Sequence, residues 1–445
     1  MPWPEREINR LDSPPGTPPG TPPSTPPGGP PVGLLINRNY ALFMAGSFVS
    51  ALGSWFQAVA IGWLVLELSD SPFVLGLANF AQLAPLFFLG FFGGLLADRV
   101  DRRVLLLAGI GTGTAATGLL AALSLAGLAS VPVVLAVSLV LGLANAVVWP
   151  AWQPFITELV PKDRLRDAIA FNSARFNLTR VLGPALAGVL MARVGAPVCL
   201  AVAAVSSGAV MLATWQIRRP RYTGTEGRRA LSLSWLSALT ESLRYVRADR
   251  FTMQLLLVVG LFGVLVQPYQ AFLPAFARDV LAIGAEGLGV LLTAVGLGAV
   301  LGAVLTGSRH VAARPELAMA LTALVSGAGL ALFAAAPLLG LPVWVATLAL
   351  VFVGFGSIAY LTTANATLQL RVPDHLMGRV MGLWVVMNAG TMPLGSLGLG
   401  AAAERTGLPQ VVLACGLVGI GIGLASFSNL DSRSLGVRVQ RDVKS

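Results

Sequence analysis

Apolar runs long enough to cross a bilayer recur twelve times, at about 40–66, 72–96, 103–127, 132–157, 166–192, 197–217, 251–276, 287–307, 316–336, 343–369, 376–402 and 409–428. A hydrocarbon core about 30 Å thick takes roughly 20 apolar residues to span as a helix, whose backbone groups must bond within the segment. With 55% hydrophobic and 11% charged residues, the chain has too little polar surface to cover a water-soluble fold. The expectation is an all-α membrane protein of twelve transmembrane helices. A hydrophilic connection at 218–250 divides them into six-helix bundles at 38–217 and 251–428, flanked by tails at 1–37 and 429–445.

Positive charge gives the orientation, because Lys and Arg near helix ends stay on the cytoplasmic side during insertion. Placing the N-terminus inside puts 25 of the 30 Lys and Arg residues in the tails and inner connections, and leaves Arg193, Arg278 and Arg405 outside. Arg175 and Arg180 fall inside the fifth span, Arg175 nearer the cytoplasm where it can snorkel. The net charge of +10 therefore describes topology in an inner membrane, with both termini cytoplasmic, and not nucleic-acid binding. The tract SPPGTPPGTPPSTPPGGPP cannot make a helix and reads as an extended cytosolic tail. No apolar signal-peptide region precedes Asn37. Cys199 and Cys415 sit in apolar spans without metal-ligand spacing, as small core residues, and no metal or cofactor is expected. In the connection, Trp235, Leu236, Leu239, Leu243 and Val246 beside Arg244 and Arg247 form the apolar stripe of a helix lying on the inner leaflet.

The halves repeat at an offset of 212 residues. Gly142 superimposes on Gly354, Val160 and Pro161 on Val372 and Pro373, Gly183 on Gly395, Gly188 on Gly400 and Pro197 on Pro409. Six-helix halves of one polarity are related by an axis along the membrane normal, which makes the bundles pseudo-symmetric and suits rocking about a central site.

The connection after the second span reads GLLADRVDRR at 94–103, followed by PAWQ at 150–153, ELVP at 158–161 and NSARFNLTRVLGPALAG at 172–188. Over about 38–430 the chain resembles the major facilitator superfamily, and within it the enterobactin exporter-like branch of siderophore and drug exporters. Asp101 stands where the commonest signature has Gly, and Trp152 where that branch carries Arg. The resemblance implies a secondary transporter exporting a siderophore-like or drug-like small molecule by alternating access. The competing reading keeps the fold in a non-transporting sensor or scaffold. The resemblance also suggests a cytoplasmic gate of Gly94, Asp98, Arg99, Arg102, Arg103 and Glu158. There Asp98 faces the start of the eleventh helix near Gly378, with a helix-dipole gain of about 0.3–1 kcal/mol, and Arg102 bridges to Glu158. The alternative is a solvated basic loop that only fixes topology. In the second-half loop, SRHVAARPE, His310 stands opposite Asp98 and the pattern is lost.

Polar residues in a span are costly unless they face protein or a wet cavity, so their spacing marks the inward face. Ser47, Ser50, Ser54 and Gln57 draw one stripe on the first helix, and Gly260, Gly263, Gln267 and Gln270 another on the seventh. Asn145, Trp149, Trp152 and Gln153 mark the fourth helix, and Trp384, Asn388 and Thr391 the eleventh. These stripes fit a substrate cavity or close helix packing. Ser173, Asn177 and Arg180 share a face of the fifth helix, with Arg180 near mid-depth, where a functional site or an arginine satisfied by carbonyls are the alternatives. All 20 acids fall in tails, loops or helix ends. A cavity with Arg180, aromatics and amides thus suits an anionic or neutral aromatic substrate better than a cation. Protons are the candidate coupling ion, with Glu67, Asp98 and Glu158 as the available acids. A catalytic triad, metal cluster or phosphate loop is not apparent, and His310 and His375 lie in inner loops, so an enzyme is not expected. A monomer in the lipid bilayer is expected.

Overall fold

The computed structural model describes residues 37–217, 244–306 and 314–442, and all their regular structure is helical. Eleven of these helices are long and apolar enough to cross a membrane. The 52-residue helix Leu165–Gln216 is two spans in one, broken at Gly195 (φ 75°, ψ 175°). The sequence predicts a short loop there, whereas one glycine makes the whole turn. A Cβ is disfavoured at that φ, and Pro197 pre-sets the next helix, so both glycine and proline act locally. With the break counted, the twelve expected spans are present.

We label them α1 (Arg38–Ser69), α2 (Pro72–Arg99), α3 (Arg102–Leu125), α4 (Val131–Glu158), α5 and α6 (165–194 and 196–216). The second half holds α7 (Arg250–Val280), α8 (Gly284–Thr306), α9 (Pro315–Leu338), α10 (Val343–Arg371), α11 (Leu376–Thr406) and α12 (Leu408–Asp442). α12 continues as helix beyond the expected end near 428, and no proline interrupts that stretch. Residues 244–248 are helical, while Trp235, Leu236, Leu239 and Leu243 of the expected amphipathic helix lie outside the described residues.

Side chains fix where the spans begin. The Asn37 side chain accepts from the Asn39 and Tyr40 amides at α1, Asp101 from the Arg103 amide at α3, and Asp249 from the Thr252 amide at α7. An N-cap needs a short side-chain acceptor, which is a local reason for Asp at 101.

The repeat reappears as packing. Gly142 of α4 lies against the carbonyls of Ala81 and Gln82 on α2, and its mate Gly354 of α10 against the carbonyl of Val295 on α8. Gly183 of α5 receives the Trp55 ring of α1, and Gly395 of α11 receives Pro268 and the Val264 carbonyl of α7. Small residues let backbones in lipid approach closely enough for dispersion contacts to hold them.

The halves meet along two equivalent seams. α5 crosses α8 at Gly188 and Gly289, where a Cβ added to Gly188 would lie 2.6 Å from the Gly289 Cα. α2 crosses α11, with Gly76 against the Ser396 carbonyl and Gly400 against Pro72 and Phe73. These approaches gather at the end carrying Asp70 and at mid-depth, where Gly296 of α8 meets the Arg180 carbonyl and Gly390 of α11 meets the Phe87 ring. Toward the opposite end, which carries Arg102, the seams part. Phe176 continues the α5 face of Gly188, Pro184 and Arg180 at helical spacing, yet is 53% exposed, and Val304 of α8 is 70% exposed. Gly382 of α11 has no described residue within 4 Å of where a Cβ would sit. Among the described residues the seams are closed at the Asp70 end and parted at the Arg102 end.

Candidate functional site

Arg180 lies at the closed tip of that opening. It stands 15 residues into α5 from Leu165, about 22 Å along the axis at a rise of about 1.5 Å per residue. Its side chain is half-buried and has no hydrogen bond or ion pair among the described residues. Across the seam, Tyr269 of α7 is within electrostatic reach, buried at 2% exposure, and accepts a hydrogen bond from Gln270 Nε2 at 3.5 Å. An uncompensated charge withdrawn from water costs several kcal/mol even after relaxation. Arg175, expected to snorkel, is instead tied inward: its guanidinium donates to the Ser47 carbonyl of α1 at 2.8 Å and to Asn172 Oδ1 at 3.0 Å.

In the second half, α7 and α11 are both irregular where they meet. α7 breaks at Val266–Pro268 and α11 carries a π-turn at Val386–Gly390. Gln267 Nε2 donates to Asn388 Oδ1 at 2.9 Å across this junction, and Thr391 Oγ1 shares its proton between the Met387 carbonyl of its own helix at 2.8 Å and the Gly260 carbonyl at 3.3 Å. Broken helices and π-turns free backbone groups and are found where transporters line a cavity.

The other expected cavity residues are scattered. Gln57 and Asn177 are half-buried, Ser54 and Gln153 exposed, and the Asn177 amide donates back to the Ser173 carbonyl at 3.0 Å. Trp149 is 62% exposed. Trp152 is partly buried and stacks obliquely on Phe43 (ring centroids 5.0 Å apart), while Trp384 is buried in the core and offers no open face in this state. Sequence patterns passed over Tyr269 and Trp55, although each neighbours a singled-out glutamine or serine.

Of the expected gate, Gly94, Asp98 and Arg99 lie outside the residues whose side chains are described. Arg102 pairs with Glu158, and Arg103 donates to the carbonyls of Thr214 and Trp215 at 3.0 and 2.5 Å. Both arginines brace α3 within the first half, to α4 and to the end of α6, and do not bridge the halves. The second half has its own brace between the equivalent helices with the signs exchanged, Arg371 of α10 to Glu316 of α9 at 3.3 Å. Among the described residues, the polar bridges between halves stand at the Asp70 end. Arg278 of α7 pairs with Asp70 at 2.7 Å and donates to the Leu66 carbonyl at 2.6 Å, and Ser71 Oγ donates to Glu404 of α11 at 3.1 Å. The signal in the sequence was a rare cation outside the positive-inside pattern.

Two six-helix bundles, closed at one end around a mid-depth polar seam, define a transporter of the major facilitator fold. A crystal structure of a variant of the nucleoside transporter NupG shares this fold, with a TM-score of 0.72 and 13% identity, covering 88% of this chain and 99% of that one. The chain belongs to the transmembrane secretion effector family of that superfamily, which it matches over residues 31–435. It is similar to the staphyloferrin A transporter of Staphylococcus aureus, at 25% identity over 86% of this chain and 94% of that protein. It is also similar to the multidrug efflux pump Tap of Mycobacterium bovis, at 28% over 90% and 96%. The enterobactin exporter EntS of Salmonella typhimurium matches at 27% over 80% and 85%.

Proposed function

We propose that this transporter exports a small organic molecule by alternating access, and that the state described is the inward-facing one. The positive-inside charge pattern supports assigning the Arg102 end and both termini to the cytoplasm. Substrate enters there and reaches Arg180, Gln267 and Asn388 at the closed tip. Rocking the bundles at 38–217 and 251–428 then parts the Asp70–Arg278 and Ser71–Glu404 bridges and closes the opposite end. The observation that carries this reading is a seam sealed at one end and parted at the other, with a charged residue at the turning point. The relatives' names support a siderophore-like or drug-like cargo.

The test is flux in oriented proteoliposomes, with and without a proton gradient. Saturable, substrate-dependent efflux from the face bearing the termini is expected. Ligand binding without flux of any probe would return the chain to the sensor reading. A gradient that accelerates efflux identifies protons as the coupling ion.

A further inference from the structure

We propose that the seam at Arg180 is an oxyanion site: a carboxylate, or a similar two-oxygen anion of the substrate, accepts from the Arg180 guanidinium in one half and the Tyr269 hydroxyl in the other. That anion is also the counter-charge that lets the cavity close. The inference rests on the transport reading and deepens it.

Donor accounting comes first. The Tyr269 oxygen accepts from Gln270, so its own proton is left to donate, and the guanidinium within its electrostatic reach offers only donors. The two groups belong to opposite halves and lie within electrostatic reach of each other, and no protein acceptor for the Arg180 side chain is found among the described residues. Arg175 shows the contrast, because a carbonyl and an amide oxygen already satisfy it.

The repeat then says what Arg180 is not for. At the offset of 212, Arg175 corresponds to Met387 and Arg180 to Met392. The flanking Gly183 and Gly395 both pack α5 or α11 against the first helix of their own half. The second half carries methionine at both positions, with Gly260 beside Met387 where the first half has Phe48, so the shared scaffold does not demand a cation at either position. Placement gives the third argument. The Arg180 carbonyl lies against Gly296 of α8, 2.5 Å from where a Cβ would sit, so the residue is fixed at the seam that must open and close. Occluding an unpaired guanidinium is unfavourable, and occluding it paired to an anion is not. The loaded carrier therefore reorients readily and the empty one does not, which makes exchange of internal for external substrate faster than net efflux.

The probes are 1-naphthoate, its neutral isostere 1-naphthamide, and ethidium as a cation, bound to the full chain in detergent and followed by tryptophan fluorescence. We expect naphthoate to bind at least about tenfold tighter than naphthamide. Arg180→Gln should abolish that preference, Arg180→Lys should retain part of it because the charge survives without the planar fork, and Tyr269→Phe should reduce it a few-fold. In proteoliposomes, external naphthoate should accelerate naphthoate efflux several-fold for wild type and not for Arg180→Gln. Equal affinity for naphthoate and naphthamide, preference for ethidium, or a preference that survives in Arg180→Gln overturns the oxyanion site. Ethidium flux with any of those results would still leave the protein a transporter, whereas no flux of any probe would overturn the transport reading itself.

Discussion

The first half joins its α1–α5 pair with charge, and the second joins α7–α11 with amides and a hydroxyl. Arg175 reaches the Ser47 carbonyl in one, while Gln267–Asn388 and Thr391–Gly260 do the work in the other. Gly183 and Gly395 both pack against the first helix of their own half, while Gly260 and Gly263 of α7 lie against Met387 and Thr391 where α1 has Phe48 and Ala51. What the halves share is the scaffold, and what they divide is the chemistry: the first supplies cations, and the second supplies breaks in its helices and neutral hydrogen bonds.

Exchanging those contributions should give unequal losses. Arg180→Gln is expected to lower anion flux by about 30-fold or more, the scale of removing one member of a buried charge pair. Asn388→Leu, which leaves Gln267 unpaired, should destabilise by about 1–3 kcal/mol, with the larger part in stability and the smaller in flux. Denaturant midpoints and initial rates measured on both variants check this, and an Asn388→Leu flux loss matching that of Arg180→Gln would erase the proposed division. Between the two in severity lies Gly188→Leu. Its Cβ would meet Gly289 at 2.6 Å, so overpacking of about 1–3 kcal/mol should prise the seam apart at the Asp70 end. Spin labels at Leu128 and Leu339, exposed in the α3–α4 and α9–α10 turns, should then move apart, and an unchanged distance would mean the seam absorbs the side chain.

The Asp70 end offers a smaller lever. Asp70 is 82% exposed, so its pair with Arg278 contributes only about 0–1 kcal/mol. Arg278→Ala, which also removes the bond to the Leu66 carbonyl, should shift the same spin-label distribution toward the open form by no more than a few-fold, and less at high salt. A complete switch would show that this bridge dominates the closure.

The twelve spans and the repeat were legible because lipid allows so few alternatives: apolar length and glycine at a constant offset map directly onto helices and their crossings. The turn at Gly195 was misread as a loop, since composition cannot tell one left-handed residue from four ordinary ones. Arg180 was legible through its depth. Tyr269 was not, because its role comes from an arginine 89 residues away across the seam, and a lone tyrosine beside glutamine carries no spacing. Arg102 with Glu158 was legible as a pair, and because both lie in the bundle at 38–217 the bond can only brace that half, which the gate reading overlooked. The bridges at Asp70 and Ser71 depend on which helices abut, a tertiary fact outside any local pattern.

The helix starts sharpen the comparison at its finest scale. Asn37 and Asp249 stand 212 residues apart and cap α1 and α7 in the same way, each accepting from the amide three residues on, Tyr40 or Thr252. One acceptor is neutral and the other titrates. Burial works to raise the Asp249 carboxyl, but the hydrogen bonds from the Thr252 hydroxyl and amide and the Phe251 amide, with the Arg371 charge, outweigh it and hold the group below its ordinary value. A carboxylate lowered on folding contributes stability above its unfolded pKa of about 3.9, and loses it as pH falls through the lower folded value. Acid should therefore loosen the first turn of α7 while the first turn of α1 is unaffected. The expected size is that of one cap, about 1 kcal/mol. Hydrogen exchange at the Thr252 and Tyr40 amides, followed downward from pH 5, should diverge in wild type and run parallel in Asp249→Asn. Parallel behaviour in wild type would mean that the Thr252 bonds survive protonation, and that the two caps are equivalent after all.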